Sequence, residues 1–229
     1  MSEGKKGQRP SGRGRFITFE GGEGTGKSTQ IKRLADRLKA AKLRIRVTRE
    51  PGGSPGAEIM RHLVLSGMGR LLGPEAETLL FAAARDDHVR TVILPALNQG
   101  TWVLCDRFAD STRAYQGSLG RVPAGLINAM QRVTIGDLKP DLTIILDLPV
   151  EIGLQRAAAR RGSGTPDRFE SEQLSFHQGL REAYRKIAAD DPARCVLIDA
   201  NSDPDTVAAR VWTALREHLL PTPASVVSA

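Results

Sequence analysis

The stretch from Gly21 to Ser28 reads GGEGTGKS, and it directly follows a short apolar run, FITFE, at residues 16–20. It fits the pattern G-x-x-x-x-G-K-[ST], which predicts a phosphate-binding loop (P-loop) when a strand precedes it and a helix follows it. Glycines let successive backbone N–H groups point into one concavity, and the N-terminal end of the helix adds partial positive charge. The sequence therefore predicts a strand, an anion-binding loop and a helix in immediate succession.

A loop of this kind predicts a nucleoside triphosphate and Mg²⁺ as its ligands. In such loops the lysine reaches the β- and γ-phosphates and the next hydroxyl coordinates the metal ion. Lys27 and Ser28 occupy those positions, and Asp106, at the end of a later strand, is a further candidate ligand of Mg²⁺. The residues expected to bind the triphosphate are Gly21, Gly22, Glu23, Gly24, Thr25, Gly26, Lys27, Ser28 and Thr29.

Strand-like and helical stretches alternate along the chain. The strand-like runs cover residues 16–20, 44–48, 101–107, 142–148 and 194–200. Helical patterns cover 31–43, 58–65, 75–97, 150–161, 172–189 and 204–219, the last with Asp203 as its N-cap. This alternation predicts an α/β fold with a five-stranded parallel sheet and helices on both faces. In such sheets, ligands bind beyond the carboxyl ends of the strands.

The two ends of the chain differ from its centre. Residues 1–15 are rich in glycine, proline and basic side chains, and they contribute +4 (five basic residues against Glu3) to the net charge of +7. We expect this tail to be disordered, residues 16–220 to form a single domain, and residues 221–229 to be a frayed tail. A solubilising leader is favoured for the basic tail, with contact to nucleic acid or to a membrane as the alternative.

Neither a secretory signal nor a membrane span is predicted. The tail holds no apolar segment, and no run approaches the roughly 20 apolar residues that cross a bilayer. The only two cysteines, Cys105 and Cys195, lie in apolar strand-like runs. This placement favours buried, reduced thiols over a disulfide and predicts a cytoplasmic protein.

Further motifs narrow the class of P-loop protein. The Asn-Lys-x-Asp run that reads guanine in GTPases does not occur. A kinase acting on a small phosphorylated acceptor needs a pocket, cations for two facing phosphates and a lid that excludes water. Phe81 and Arg85 share one helix face, where a ring can stack on a base and a guanidinium can donate to it. Arg107, at a strand end, is suited to bidentate binding of an acceptor phosphate.

An arginine-rich segment at residues 153–170, GLQRAAARRGSGTPDRFE, is expected to form a mobile lid. Arg156 and Arg160 share one helix face, Arg161 precedes a Gly-Ser-Gly break, and Arg168 follows it. An arginine that closes over the γ-phosphate stabilises the charge on the transferring phosphoryl group. Structural alternatives stay open for each pattern: a solvated basic helix end, a core ring beside a solvated arginine, and a strand-end ion pair.

Together these motifs resemble those of the thymidylate kinase family, P-loop enzymes that convert dTMP and ATP to dTDP and ADP. The resemblance covers residues 16–219 and rests on FEGGEGTGKST (19–29), TREPGG (48–53), LLFAAAR (79–85), DRFADSTRAYQG (106–117), PDLTIILDL (140–148) and DRFE (167–170). It implies a P-loop kinase fold, ATP and dTMP as substrates, Mg²⁺ as cofactor and a role in dTTP synthesis. It further implies a homodimer in the cytoplasm.

The resemblance also implies individual roles around the acceptor. Phe81 is expected to stack on thymine, Arg85 to bond its O4, and Thr112 to contact the base edge. Tyr115 is expected against the sugar, where it disfavours a ribose 2′-hydroxyl. The full set of implied substrate-binding residues is Glu23, Arg49, Glu50, Phe81, Arg85, Asp106, Arg107, Ser111, Thr112, Tyr115 and Gln116.

By the same resemblance, Glu23 is expected to bond the 3′-hydroxyl of the acceptor sugar and Arg107 to hold the dTMP phosphate. One arrangement in the family places a catalytic arginine directly after this acid, but Gly24 stands there, so the lid is expected to supply it. Arg160 is the first candidate by spacing and Arg161 the second. The expected catalytic residues are Lys27, Arg107, Arg160, Arg161 and Arg156.

Two other interpretations remain open from the sequence. The nearer one is another P-loop kinase that acts on deoxynucleosides or on a different nucleoside monophosphate. The other is an ATP-dependent switch or nucleic-acid-binding module that uses the basic tail, which requires salt-sensitive binding to DNA. Under the favoured interpretation, neither nucleic acid nor a membrane is a partner.

Overall fold

The computed structural model describes residues 12–164 and 168–220. Within these residues, five parallel strands form one sheet in the order β2-β3-β1-β4-β5. The strands are β1 (Phe16–Glu20), β2 (Ile45–Arg49), β3 (Trp102–Asp106), β4 (Leu142–Asp147) and β5 (Cys195–Asp199). The α/β fold with a five-stranded parallel sheet, predicted from the sequence, is confirmed.

Helices connect the strands and cover both faces of the sheet. The α-helices are α1 (Lys27–Ala40), α2 (Pro55–Leu65), α3 (Pro74–His88), α4 (Leu94–Asn98), α5 (Ala109–Thr112), α6 (Ala124–Ile135), α7 (Val150–Arg161), α8 (Leu174–Asp190) and α9 (Pro204–Leu219). A 3₁₀ segment spans Met68–Leu72, and π-helical turns span Val89–Ile93 and Arg113–Leu119.

Alternation along β1 separates two core layers, because successive side chains of a strand point to opposite faces. Ile17 and Phe19 pack with apolar residues of α1 and α9 on one face. Phe16 points to the other face, where it packs with Ile93 and Leu97. Helix α8 contributes a further apolar cluster that includes Tyr184 and residues of β4 and β5. The carboxyl end of β1 therefore opens between two helical layers.

Some helix boundaries differ from the sequence prediction. α1 begins at Lys27 because the loop leads straight into it, with Gly26 in a left-handed conformation at φ 91°. The single helix expected over 75–97 is interrupted by a π-helical turn before Pro95. Proline has no N–H to donate, so the hydrogen-bonding register shifts ahead of it. α6 was not predicted, since Gly125 and a β-branched C-terminal turn give it weak helix propensity, and it packs against α3.

The N-terminal boundary of the ordered chain also differs from the sequence prediction. The Gly14 N–H donates to the Leu97 carbonyl at 2.8 Å, and Arg15 pairs with Asp141 at 3.1 Å. A Cβ on Gly14 would lie 1.9 Å from the Thr101 carbonyl oxygen, so this close approach requires glycine. The disorder expected for residues 1–15 thus does not apply to Gly14 and Arg15. The remaining tail predictions, for residues 1–11 and 221–229, lie outside the described residues.

No helix among the described residues has both the length and the apolar character needed to cross a lipid bilayer.

Candidate active site

A cavity of about 390 Å³ opens where the strands end, and its volume suits a small ligand. Most of the residues predicted from the sequence line it. They are Glu23, Gly24, Thr25, Gly26, Lys27, Ser28, Thr29, Arg49, Glu50, Phe81, Arg85, Asp106, Arg107, Ser111, Thr112, Tyr115, Gln116 and Arg160. Four predicted residues lie outside its lining: Gly21, Gly22, Arg156 and Arg161.

The loop after β1 has the form of an anion cradle. Gly21, Gly24 and Gly26 have φ values of 132°, 66° and 91°, which residues with a Cβ rarely adopt. The Lys27 ammonium donates to the Gly21 and Gly22 carbonyls at 3.1 Å and 2.8 Å, so it lies along the loop. Burial and the nearby Arg107 charge lower the pKa of Lys27. The loop therefore presents backbone donors and one buried cation to the cavity.

Two hard oxygens lie together at the loop-to-helix junction. Ser28 Oγ donates to Asp106 Oδ2 at 3.0 Å, and both residues line the cavity. No cluster of three or more histidine, cysteine or acidic residues that could hold a metal occurs in the part of the chain that the structure describes. Mg²⁺ usually takes one or two protein oxygens together with phosphates and waters. The pair of oxygens suits that mode of binding.

Glu23 pairs with Arg107 in the lining of the cavity. Arg107 Nη2 lies 2.7 Å from Glu23 Oε1, and the Tyr115 hydroxyl donates to the same oxygen at 3.3 Å. Burial alone would raise the pKa of Glu23, but the charges of Arg107 and Lys27 outweigh it, and the pKa lies below its ordinary value. The acid in the loop is therefore ionised and faces the same space as the tyrosine.

A second carboxyl, Glu20, lies beneath Arg107 and is fully buried. Glu20 accepts from the Phe108 N–H at 2.7 Å, from Ser111 Oγ at 2.6 Å and from the Tyr184 hydroxyl at 2.9 Å. Burial, and then the negative charge of Asp110, raise the pKa of Glu20 to about 7. The sequence prediction assigned no role to this residue or to Tyr184.

Glu50 holds the helix that carries the predicted base-binding pair. Arg85 Nε donates to Glu50 Oε2 at 2.7 Å, and His88 Nδ1 lies 3.0 Å from Glu50 Oε1. Arg85 Nη2 also donates to the Phe108 carbonyl at 3.1 Å, and the side chain is only 4% exposed. Arg85 is thus not the solvated arginine considered as an alternative. Phe81, one helical turn earlier, lines the cavity.

The lid arginines lie in three different environments. Arg160 and Arg161 pair with Glu170 at 3.5 Å and 2.7 Å, and only Arg160 also lines the cavity. Arg156 donates to the Ala200 carbonyl at 3.5 Å instead. The structure thus brings one of the three candidate lid arginines to the cavity wall.

The segment after the arginine-rich helix packs onto the part of the cavity wall that holds Phe81 and Tyr115. Arg168 forms an ion pair with Glu77 of α3, and its guanidinium lies 4.9 Å from the Phe169 ring centroid. The Phe169 ring lies 6.5 Å from Phe81 and 5.1 Å edge-on from Tyr115. Phe169 and Glu170 also line the cavity and were not predicted as site residues, although both belong to the DRFE motif. Helical periodicity and charge spacing gave no signal for them.

A backbone contact fixes the lid helix on the loop. A Cβ on Gly24 would lie 1.9 Å from the Gly153 carbonyl oxygen, so an arginine cannot occupy this position without moving α7. The prediction that the loop does not supply the catalytic arginine thus has a steric basis.

Glu20 generates a prediction about stability and pH. Its pKa rises on folding from 4.5 to about 7, so the folded state binds the proton more tightly. The resulting contribution to stability is complete below pH 4.5 and is lost as the pH rises through about 7. Relative to Glu20→Gln, the unsubstituted chain should lose on the order of 2 kcal/mol of unfolding free energy over this window, measured by urea unfolding.

Asp147 provides a matched control, because folding shifts its pKa in the opposite direction. The hydrogen bonds from Arg181 and Arg185, acting against burial, lower the pKa of Asp147 to about 2. Its contribution to stability is present above its ordinary value of 3.8 and is lost as the pH falls toward 2. Asp147→Asn should therefore change the pH dependence only in that acidic range. A flat difference between the unsubstituted chain and Glu20→Gln from pH 4.5 to 7 would contradict the raised pKa.

Comparison with known proteins identifies the family. The family model for thymidylate kinase matches residues 19–211. A thymidylate kinase of Bradyrhizobium diazoefficiens is 91% identical over 96% of this chain and 97% of its own length, and one of Nitrobacter winogradskyi is 77% identical over 92% and 91%. The crystal structure of thymidylate kinase from Ehrlichia chaffeensis has a TM-score of 0.71 at 32% identity and covers 89% of this chain and 99% of its own. The chain therefore belongs to the thymidylate kinase family.

Proposed function

We propose that this chain transfers the γ-phosphoryl group of ATP to dTMP and releases dTDP and ADP. The observation that carries the proposal is one continuous cavity, with the phosphate loop on one side and Phe81, Arg107 and Tyr115 on the other. A donor and an acceptor phosphate can face each other across it, which is the arrangement that phosphoryl transfer requires. Family membership favours dTMP over the other monophosphates and over a deoxynucleoside.

On the donor side, the loop N–H groups and Lys27 hold the triphosphate. We further propose Mg²⁺ as the metal ion, held by Ser28 and Asp106 together with phosphate oxygens. Their oxygens lie 3.0 Å apart at the start of α1. When bound, the ion neutralises charge on the β- and γ-phosphate oxygens.

On the acceptor side, Phe81 offers its ring to the thymine and Arg107 its guanidinium to the phosphate. Glu23, held between Arg107 and Tyr115, is placed as an ionised acceptor for a sugar hydroxyl. Thr112 and Gln116 line the same wall, are buried, and can contact the base edge. The resemblance implied these roles for Phe81, Arg107, Glu23 and Thr112, and it placed Gln116 among the substrate-binding residues without a role of its own.

Transfer itself needs no general base. The acceptor phosphate oxygen is already a nucleophile, so the chain contributes positioning and charge neutralisation. Lys27 and Arg107 act from the floor of the cavity, and Arg160 acts from the lid. Arg160 is 64% exposed and paired only loosely with Glu170, so it is available to the transferring group.

We also propose that the protein works in the cytoplasm. Cys105 and Cys195 are both free and buried, which suits a reducing compartment.

The first test is a coupled ADP-release assay with the four deoxynucleoside monophosphates and thymidine as acceptors. We expect dTMP to be the preferred acceptor and activity to require Mg²⁺. Preference for thymidine or for another monophosphate would overturn the proposal, as would hydrolysis of ATP that no acceptor stimulates.

The second test addresses the lid. Arg160→Ala should lower kcat by about 10³-fold, because loss of a phosphoryl-stabilising arginine has effects of this order, while KM for dTMP stays within about twofold. Arg90→Ala removes an exposed arginine paired with Asp86 and serves as the control. If Arg160→Ala and Arg161→Ala both retain full kcat, the lid does not supply the catalytic cation.

We propose, as the resemblance implied, that the chain forms a homodimer. Large apolar side chains are exposed on α3 and on three elements that pack against it, α2, α6 and the 3₁₀ segment. Among the described residues of these elements, they are Ile59, Met68, Leu71, Leu72, Leu79 and Val133. We infer that these side chains form one apolar face, as is typical of a subunit interface. A second copy of the chain is the occupant that a self-complementary twofold contact would place there.

Sedimentation should distinguish the dimer from a monomer. Val133 is 84% exposed on α6, so Val133→Glu should shift the protein toward monomer by placing a charge in the interface. Leu174→Glu, at the start of α8 and outside this face, is the control and should leave the mass unchanged. A monomeric unsubstituted chain at micromolar concentration would contradict the proposal.

A further inference from the structure

Glu20 is the last residue of β1 and stands directly before the phosphate loop. Because side chains alternate along a strand, it points to the same face as Thr18, away from Ile17 and Phe19. It is fully buried, yet a carboxyl group is costly to bury unless specific partners require it. Neither the loop motif nor the proposed chemistry uses this residue, so its partners indicate what it does.

The partners of Glu20 all adjoin Arg107. Its Oε1 accepts from the N–H of Phe108, the residue after Arg107, at 2.7 Å. Its Oε2 accepts from Ser111 Oγ at 2.6 Å and from the Tyr184 hydroxyl at 2.9 Å. One carboxyl group therefore reaches both the backbone of Arg107 and the groups around its tip.

At the tip, the two hydroxyls connect Glu20 to the guanidinium. Arg107 Nη1 donates to the Tyr184 hydroxyl at 3.1 Å and to Ser111 Oγ at 3.4 Å. A hydroxyl has one proton, and when Glu20 is ionised both hydroxyls donate to it, so both oxygens then present lone pairs to Arg107. Burial raises the pKa of Tyr184, and the nearby Glu20 raises it further, so the phenol keeps the proton that it donates.

At the backbone, Arg107 has a conformation that needs support. Its φ is 68°, in the left-handed region that residues with side chains rarely adopt. Such a conformation persists where the surroundings determine it. The Arg107 N–H donates to the Phe19 carbonyl at 2.9 Å on one side, and Glu20 holds the next N–H on the other.

We propose that Glu20 is a positioning residue for the acceptor phosphate: it fixes Arg107 at its backbone and, through Ser111 and Tyr184, at its guanidinium. This inference rests on the proposed function, in which Arg107 holds the dTMP phosphate. Glu20 does not line the substrate cavity and acts only through Arg107. Its loss should therefore weaken binding of the phosphate and leave binding of the nucleoside part intact.

The test compares dTMP with thymidine, which lacks the phosphate, by calorimetric binding to each purified variant. Glu20→Gln keeps the size of the side chain, but only the amide oxygen can accept hydrogen bonds. The affinity for dTMP should therefore fall about tenfold. Tyr184→Phe removes only the tip contact, and dTMP affinity should fall about threefold. Thymidine affinity and the KM for ATP should stay within about twofold for both variants.

Thr18→Val is the matched control. Thr18 is on the same face of β1 as Glu20, and its Oγ1 lies 2.8 Å from Thr143 Oγ1 of β4. The change therefore removes a buried hydroxyl contact that does not involve Arg107. It should lower the unfolding temperature and leave the ratio of dTMP to thymidine affinity unchanged.

The possible outcomes separate the inference from the function on which it rests. If the unsubstituted chain phosphorylates dTMP but both variants keep its dTMP-to-thymidine affinity ratio, the inference is wrong. It is also wrong if both ligands weaken equally, since Glu20 would then act on the whole pocket. Tyr184→Phe decides the question if Glu20→Gln does not fold. An unsubstituted chain that cannot phosphorylate dTMP contradicts the proposed function instead.

Discussion

The ion pair between Arg107 and Glu23 is the contact on which the site depends, because it joins the end of β3 to the loop that follows β1. The guanidinium reaches Glu23 through Nη2 and the Gly21 carbonyl through Nη1. Loss of Arg107 would remove the strongest charge that stabilises ionised Glu23, which is unfavourable for a carboxylate largely withdrawn from water. The donor loop and the acceptor wall are therefore held as one unit, and two phosphates bound between them would meet at a defined distance and angle.

Two carboxyl groups three residues apart have pKa values shifted in opposite directions, although burial raises both. Glu23 lies next to Arg107 and Lys27, and their charges lower its pKa despite burial. Glu20 is deeper, has Asp110 nearby, and has a pKa raised to about 7. The difference comes from the neighbouring charges, since both groups are largely withdrawn from water. One acid is thus suited to face a substrate, and the other to order the residues beneath it.

The contact of Gly24 with Gly153 explains why the loop carries no side chain at this position, next to the first turn of α7. Backbone atoms meet where a side chain would otherwise stand, so the first turn of α7 packs on the loop, and the end of α7 brings Arg160 to the cavity wall. The returning segment is held by Arg168 on Glu77, by Phe169 beside Phe81, and by Glu170 on Arg161. One short stretch of chain therefore contacts both Phe81, the proposed base-stacking ring, and the arginines at the end of α7.

The sequence by itself determined the five strands, the phosphate-loop motif and most of the long helices, but not α6. The predicted strands end within one residue of those observed, and α7 and α9 have the predicted bounds, including the Asp203 cap. These features depend on signals within a few residues: alternation, helical spacing, caps and the loop glycines. Only the tertiary structure decided that Glu20 meets Tyr184 and that Arg168 meets Glu77, pairs 164 and 91 residues apart. Such contacts leave no local pattern, because the partners are chosen by how the helices pack on the sheet.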